Sequence, residues 1–452
     1  MVHMTVTDGT NASAAVTSRF PTIGGESTFR MSHLDPLVVG SLPTGSSPHI
    51  PGMPAACRAT ATEHDRLQWW HTDGGDPARL LEDFLSAHGL PARDLTRPSI
   101  GTPDHHRPGS LCGAALFISA AAGAAMIGAP TGPPSPAPAV PDLVAVVYHH
   151  RDPDPDAADP RPGTDTHPRW QLGPWQDSWS PAAHATAVAH ARAAIGRGDI
   201  YQVNIVGHTS ARYTGDPRPA LARLTRLPGA RYGGVLTGPG WAIACASPET
   251  LLTATGGQAT TRPIKGTRPA TPEGYRDLLT SAKERAEHVM IVDLERNDLA
   301  RVAHTGSVRV DQLYTIRRWS GLWQAESTVS ARLATGCGLA DLLRAVCPGG
   351  SVTGAPKLAA LAQIAALEPV GRGAAMGGLG WFDTDGLDLG LTIRTVAVDT
   401  QRVHLWAGGG ITWDSDPAAE VAEASAKAAP LRAALCHDTS PTGGRSHAAH
   451  HR

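Results

Sequence analysis

Lysine is the rarest charged residue of this chain. Of the thirty-nine Lys and Arg residues only four are lysines, namely Lys265, Lys283, Lys357 and Lys427. Arginine keeps its proton in proteins, whereas a lysine can supply a free amine nucleophile or a compact point charge. Lys265 lies in a stretch punctuated by proline and glycine, residues 261–267. We therefore take Lys265 as the first candidate catalytic residue, and we expect the chemistry between residues 265 and 427.

Two pairs of glutamates share a spacing of three residues. Glu284 and Glu287 form the first pair, and Glu420 and Glu423 form the second. On a helix this spacing projects both carboxylates from one face. Two such helices could offer four carboxylates to Mg2+, which prefers oxygen ligands and is often completed by an anionic substrate. Taken alone, each pair is equally typical of a solvated helical face.

Two further side chains have charges suited to acid–base or anion chemistry. Glu249 follows Ser247-Pro248 at the end of a predicted strand, where it could be a general acid or a turn residue. Arg394 interrupts an apolar strand pattern. Its guanidinium could clamp a carboxylate through two parallel hydrogen bonds, or it could lie at a strand edge in water.

Glycine-rich segments offer backbone N–H groups to an anion. Gly408, Gly409 and Gly410 follow a predicted strand, and the turn at residues 347–357, which contains Ser351, opens a predicted helix. Residues 413–417 separate the three glycines from the next helix, which excludes a dinucleotide fingerprint. The turn lacks the spacing of a nucleotide-binding P-loop, so a carboxylate is the favoured ligand.

Composition bounds the class of protein. The 452 residues suffice for two or three average domains or one large one, and a net charge of -2 gives no footprint for nucleic acid or an anionic membrane. The six cysteines lack metal-finger or Cys-x-x-Cys spacing, which predicts reduced thiols in a cytoplasmic protein rather than disulfides or a zinc site. The N-terminal residues do not resemble a signal peptide. The uncharged run 111–129 is rich in Ala and Gly and predicts buried strand and turn, not a membrane span.

Hydrophobic periodicity predicts an α+β fold with large antiparallel sheets packed face to face. We expect helices near residues 62–96, 180–194, 272–301, 339–346, 356–367 and 417–435. We expect strands near 143–148, 200–206, 307–314, 324–333 and 402–407, with strand pairs within 232–255 and 376–399. The predicted organisation is a divergent N-terminal region, 1–175, partly interleaved with a catalytic domain, 176–436, and a disordered tail, 437–452.

The region from about residue 180 to 432 resembles the chorismate-utilising enzymes, and among them most resembles the aminodeoxychorismate synthases. The matching stretches are residues 198–204 (GDIYQVN), Ser247-Pro248-Glu249, residues 263–267 (PIKGT), residues 286–299 (AEHVMIVDLERNDL), the turn 348–357, Ile393-Arg394-Thr395 and residues 408–416. They occur in the family order and cover over half of the chain. The resemblance implies the anthranilate synthase large-subunit fold.

Two positions separate the branches of this family. Isochorismate and salicylate synthases carry a water-activating lysine where Gln202 stands here. Anthranilate synthases usually carry alanine where Lys265 stands, whereas the aminodeoxychorismate enzymes carry lysine. The chain departs from the family at Gln324, where a histidine is usual, and at Ala375, where an aromatic residue is common. Its N-terminal region also matches poorly.

The resemblance implies a mechanism with defined roles. Glu249 would protonate the departing ring hydroxyl of chorismate while the Lys265 amine adds to the ring, and ammonia would then displace the lysine to give 4-amino-4-deoxychorismate. Magnesium would be held by the four glutamates, and the substrate's anionic groups would be bound by Ser351, Arg394, Gly408, Gly409, Gly410 and Lys427. The product would feed para-aminobenzoate for folate or a secondary metabolite.

Ammonia has to come from outside the chain, because no Gly-x-Cys-x-Gly elbow of a glutaminase surrounds any of the six cysteines. A separate glutamine amidotransferase subunit is therefore the expected partner. The alternatives are an anthranilate or aminodeoxyisochorismate synthase, distinguished by product, and a catalytically silent chorismate-binding subunit.

Overall fold

The computed structural model describes residues 49–97, 107–152, 170–319 and 321–436. Eighteen strands lie in these ranges: β1 Ala61–Trp69, β2 Leu111–Ile118, β3 Leu143–His150, β4 Gln171–Leu172, β5 Gln176–Asp177, β6 Gln202–Thr214, β7 Tyr232–Gly238, β8 Trp241–Ser247, β9 Thr250–Thr255, β10 Gln258–Arg262, β11 Ile264–Pro269, β12 Arg309–Trp319, β13 Leu322–Arg332, β14 Gly354–Ala355, β15 Gly378–Phe382, β16 Gly386–Leu391, β17 Thr395–Val398 and β18 Arg402–Ile411.

Nine α-helices lie in the same ranges: α1 Pro77–Ala87, α2 Ala120–Met126, α3 Pro181–Arg197, α4 Arg218–Thr225, α5 Pro272–Thr280, α6 Ala282–Ala300, α7 Leu339–Val346, α8 Lys357–Leu367 and α9 Pro417–Cys436. None of them is long and apolar enough to cross a bilayer.

Two antiparallel sheets organise the described residues. One follows the order β1-β3-β2-β15-β16-β9-β10-β13-β11, with β12 paired to β13. The other follows the order β14-β6-β18-β17-β8-β7, with β4 and β5 paired to β6. Strands β1 to β3, which precede residue 175, therefore lie in the same sheet as the catalytic candidate strand β11. The α+β prediction with large antiparallel sheets is confirmed.

The two-residue period of β8 explains how the layers stack. Ile243 and Cys245 belong to the large core, which also takes Phe117 and Leu252 from the other sheet. The alternating residues Ala242 and Ala244 belong instead to a core that includes α4 and α9. Because successive strand residues face opposite sides, the second sheet is covered by the first sheet on one face and by helices on the other.

Several sequence predictions hold closely. Helix α3 begins after Ser180, whose side chain accepts a hydrogen bond from the Ala183 amide, and it ends at the left-handed Gly198. The predicted helices at 339–346, 356–367 and 417–435 correspond to α7, α8 and α9. The run 111–129 forms buried strand β2 and helix α2, as predicted.

Three predictions were wrong. Residues 61–69 form strand β1, so the N-terminal helix is confined to α1, which begins after the capping side chain of Asp76. The helix predicted over 272–301 is two helices, because Ser281 adopts an extended backbone and caps α6. Its predicted apolar stripe is consequently broken, and Leu279 and Val289 are exposed. Strand β18 continues to Ile411, so the three glycines lie within a strand rather than after it.

A buried ion pair joins three segments near the ends of β6 and α8. Arg372 and Glu368 are both buried and lie 2.6 Å apart. The Arg372 guanidinium also donates to the carbonyl oxygens of Val352 and Asn204, at 2.6 and 2.8 Å. The Glu368 carboxylate accepts from the Val206 amide at 2.9 Å. The pair therefore fixes the turn that contains Ser351 against strand β6.

We expect Arg372→Ala to destabilise the fold by about 3–5 kcal/mol, because it leaves a buried carboxylate and two carbonyls without their donor. The matched control is Arg276→Ala, which removes a fully surface-exposed pair with Glu273 and should leave the unfolding midpoint near that of the wild type. Urea unfolding followed by tryptophan fluorescence measures both. Equal losses in the two variants would contradict a structural role for the buried pair.

Candidate active site

Lys265 lies on β11 and points toward helix α6. Its Nζ atom is 3.1 Å from Glu287 Oε1, and both side chains are largely buried. Strand β11 has an irregular register opposite β13 between Lys265 and Thr267, where Gly266 adopts a left-handed φ of 72°. A Cβ atom on Gly266 would also lie 2.7 Å from Leu278 Cδ1 and 3.0 Å from Glu284 Oε2. Glycine is thus needed for the backbone to present Lys265 to the helix.

Glu249 lies in the short link between β8 and β9 and is 5% exposed. The Ser351 hydroxyl donates to its Oε1 atom at 2.7 Å. Burial raises the pKa of the Glu249 carboxyl to about 7, while the Ser351 hydrogen bond and the Lys265 charge oppose the shift. A carboxyl with this pKa retains its proton near neutrality, which is the state that a general acid requires. The structure thus brings Ser351 into contact with the predicted acid.

The four glutamates lie on two helices, as the sequence predicted. Glu284 and Glu287 are on α6, and Glu420 and Glu423 are on α9. The charge of Lys283, on α6, acts on both Glu420 and Glu423, so the ends of the two helices are near each other. The α6 pair is held by Arg268, 3.0 Å from Glu284, and by Lys265.

These carboxylates provide an oxygen-only donor set of the kind that suits magnesium. Burial raises the pKa of Glu420, while Lys427 holds the pKa of Glu423 below its usual value against the effect of burial. No three of the four have ligand oxygens within 4.8 Å of one another in the described chain. The donor chemistry fits a magnesium ion, and binding one would require these side chains to exchange their cationic partners for the metal.

Strand β18 passes between the two helices. A Cβ atom on Gly409 would lie 2.9 Å from Glu420 Oε2 and 3.9 Å from Glu423 Oε1. A Cβ atom on Gly410 would lie 3.0 Å from both Glu287 Oε1 and Lys265 Nζ. A side chain at either position would therefore fill the space between the candidate residues.

The edge of β18 opposite β6 opens at these glycines. The pairing of β17 with β18 ends at Val396 and Leu405, whereas β6 stays paired along β18 to Ile411. Gly408 has Ile205 O so close that no Cβ atom fits. Lys427 donates to the Gly408 carbonyl at 3.0 Å and lies 2.7 Å from Glu423. The three glycines and Lys427 thus border the glutamate cluster.

Gln202 lies where related isochorismate synthases were expected to carry a lysine. Its amide nitrogen donates to Glu287 Oε1 at 3.1 Å, the same oxygen that contacts Lys265. Its Oε1 atom is buried and has no hydrogen-bond partner. A buried acceptor without a donor costs free energy, so this atom is available to a ligand with an N–H or O–H group.

Arg394 lies between β16 and β17 with a left-handed φ of 50°, an uncommon conformation for a residue with a side chain. Burial lowers the pKa of its guanidinium, and the Glu249 charge opposes that shift. Arg394 is therefore in the same cavity as Glu249, not at a strand edge in water. The departure residue Gln324 is buried on β13, opposite Thr267 of β11.

A buried charged group under the site was not assigned a role from the sequence. Lys357 Nζ lies 2.7 Å from Asp298 and 3.0 Å from the Val346 carbonyl. Burial and the neighbouring Asp298 charge raise the pKa of Glu295, which also feels the charge of Glu249. Glu295 and Asp298 repeat the three-residue spacing of the metal candidates, which was the available signal. Lys357 therefore has a structural partner rather than a place beside Lys265.

The raised pKa of Glu249 predicts a pH-dependent cost to stability. The cost is absent below the ordinary pKa of 4.5 and complete above about 7, where it amounts to something on the order of 3 kcal/mol. We expect Glu249→Gln to raise the thermal midpoint at pH 8 and to change it little at pH 4. Glu273→Gln, at an exposed glutamate, is the control. An equal effect of Glu249→Gln at both pH values would contradict the assignment.

Relatives of known name match most of the same residues. The chain is 41% identical over 257 residues to anthranilate synthase component 1 of Streptomyces coelicolor, covering 55% of this chain and 50% of that protein. It is 40% identical over 256 residues to aminodeoxychorismate synthase component 1 of Klebsiella aerogenes, covering 55% of this chain and 57% of that protein. The chain thus spans about half the length of the curated relatives it matches.

Solved structures share the fold. Anthranilate synthase component I from Streptococcus pneumoniae superposes with a TM-score of 0.68 at 25% identity, over 82% of this chain and 91% of that one. The menaquinone-specific isochorismate synthase of Escherichia coli gives 0.57 at 17% identity, over 83% and 95%. The family model described as chorismate binding enzyme matches residues 141–433. This chain is a member of the chorismate-binding enzyme family.

Proposed function

We propose that this chain is the large subunit, component I, of an aminodeoxychorismate synthase, which converts chorismate and ammonia into 4-amino-4-deoxychorismate and water. One observation carries the proposal: the Lys265 amine lies in the same cavity as the buried acid Glu249 and acts on its charge. A primary amine and a protonated carboxyl are the two groups that a two-step amine exchange needs. The neighbouring Gln202 has no basic group to activate water.

The first step joins Lys265 to the ring. The free Nζ electron pair adds to the conjugated ring, the double bonds shift, and the bond to the ring hydroxyl breaks as Glu249 gives that oxygen its proton. Water leaves and Glu249 becomes a carboxylate. The Nζ atom first has to lose the proton that it shares in its ion pair with Glu287, 3.1 Å away.

The second step exchanges one amine for another. Ammonia adds at the carbon that carried the hydroxyl, the double bonds shift back, and the bond to Nζ breaks. The excess proton on the new amino group returns to the Glu249 carboxylate, so both protein groups are restored. The buried Gln202 Oε1, which lacks a partner, can accept an N–H of ammonia beside Lys265.

The surrounding residues fix the substrate. Glu284, Glu287, Glu420 and Glu423 would hold magnesium, which, when bound, neutralises and orients the ring carboxylate. Arg394, Lys427, Ser351 and the N–H groups of Gly408, Gly409 and Gly410 would bind the remaining anionic groups. Ser351 already donates to Glu249, so it also orients the acid.

Ammonia would be supplied by a separate glutamine amidotransferase subunit, in the cytoplasm. The names of the matched relatives, each a component 1, support a two-subunit arrangement. The second candidate is an anthranilate synthase component, which the Streptomyces coelicolor relative favours at 41% identity. The two differ in product, because an anthranilate synthase releases an aromatic amine. A silent chorismate-binding subunit would form neither.

The test is incubation with chorismate, magnesium and an ammonium salt, followed by mass identification of the product. We expect 4-amino-4-deoxychorismate from the wild type. Lys265→Ala should lower kcat by at least about a hundredfold or redirect the product, because it removes the nucleophile. Lys265→Arg keeps the positive charge opposite Glu287 but provides no free amine, so it separates nucleophilic from electrostatic roles. Full activity of Lys265→Arg, or anthranilate as the wild-type product, would overturn the proposal.

Magnesium dependence is tested separately. We expect a chelator to abolish turnover and added magnesium to restore it. Glu420→Gln should raise the magnesium concentration needed for half-maximal activity, because it removes one anionic ligand. Glu273→Gln, on the surface of α5, should leave that concentration unchanged. Turnover that persists after exhaustive chelation would exclude a metal from the reaction.

A further inference from the structure

Two thiols and an imidazole meet far from the glutamate helices. Cys57, Cys112 and His150 are all buried, and their potential ligand atoms lie within 4.8 Å of one another. The group lies at the β1 end of the ten-stranded sheet, on segments 55 residues and 38 residues apart along the chain. That separation is why the cysteine spacing in the sequence predicted no metal site.

The backbone around this group is shaped to bring the three side chains together. Cys57 lies in a turn closed by a hydrogen bond from the Ala61 amide to its own carbonyl, at 2.8 Å. Cys112 is the extra residue where the β2–β3 register shifts between Leu111 and Gly113. A shift of this kind re-aims the side chain that it contains. His150 ends β3 directly opposite Ala61 of β1.

We propose that Cys57, Cys112 and His150 bind a zinc ion. Two thiolates and one imidazole form a donor set that zinc favours, and three protein ligands leave a fourth position for water or another group. Binding would release the two thiol protons to solvent, and the resulting negative charges would balance the dication. The proposal does not depend on the function proposed for the glutamate and lysine residues.

Two neighbours support a cation at this position. The Thr60 hydroxyl lies 2.9 Å from His150 Nδ1, so Nε2 is the ring nitrogen that a metal would take, with the ring held by an outer partner. The Asp383 carboxylate lies within electrostatic range of both thiols. Its oxygens are held by the Trp381 indole at 2.9 Å and by the Asp385 amide at 2.8 Å. Its charge would favour a dication over an uncharged site.

The metal would have a structural effect. The turn at residues 55–60 precedes the edge strand β1, and the ion would tie this turn to β2 and β3 simultaneously. A ligand that binds the folded but not the unfolded chain stabilises the fold by mass action. Removal of the metal should therefore lower the thermal midpoint without changing the catalytic residues.

The experiment uses the full chain, purified under reducing conditions with limiting zinc and then freed of unbound metal. We expect one zinc per chain by elemental mass spectrometry in the wild type, and loss of that zinc in Cys57→Ser and in Cys112→Ser. Cys436→Ser is the matched control, because Cys436 is an exposed thiol, and it should retain the zinc. A chelator should lower the thermal midpoint of the wild type and of Cys436→Ser only.

Cobalt substitution guards against misfolded variants and against histidines elsewhere, such as His447, His450 and His451. Cobalt in the wild-type chain should show a thiolate charge-transfer band, which histidine ligands alone do not produce. A wild type that retains no zinc, zinc binding without that band, or a Cys57–Cys112 disulfide in the freshly purified protein would each overturn the proposal.

Discussion

The ion pair between Lys265 and Glu287 is the interaction on which the candidate active site depends. It joins strand β11 of the ten-stranded sheet to helix α6, with 3.1 Å between the charged atoms. The same glutamate oxygen accepts from Gln202 of the second sheet. One carboxylate therefore links a lysine, a helix and both sheets. Its position explains why a single lysine is presented to the cavity instead of to solvent.

Close backbone approach is the second constraint on the site. The glutamates of α6 and α9 reach the same region only because β18 has no side chains at Gly409 and Gly410, and Gly408 has no room for one. The continuous pairing of β18 with β6 holds this bare segment in place. Rigid strand geometry, rather than a mobile loop, thus defines the space that a substrate would occupy.

Burial decides the chemistry of the acidic residues. Glu249 has its pKa raised to about 7 because it is removed from water, whereas Lys427 keeps Glu423 ionised. Residues of one type thus acquire different protonation states within one cavity. The Arg372–Glu368 pair contributes indirectly, since it fixes the turn that places Ser351 against Glu249.

The sequence by itself determined the family, the α+β class, most helices and the identity of the lysine, glutamate and glycine candidates. These depend on local periodicity, capping residues such as Ser180, and motif order, which are all readable along the chain. Only the tertiary structure decided that Ser281 breaks a long helix, that residues 61–69 pair with β3, and that each metal candidate has a cationic or polar neighbour. It also decided the burial of Glu249 and the meeting of Cys57, Cys112 and His150. These features depend on strand register and on packing between distant segments, which the spacing of residues along a chain does not specify.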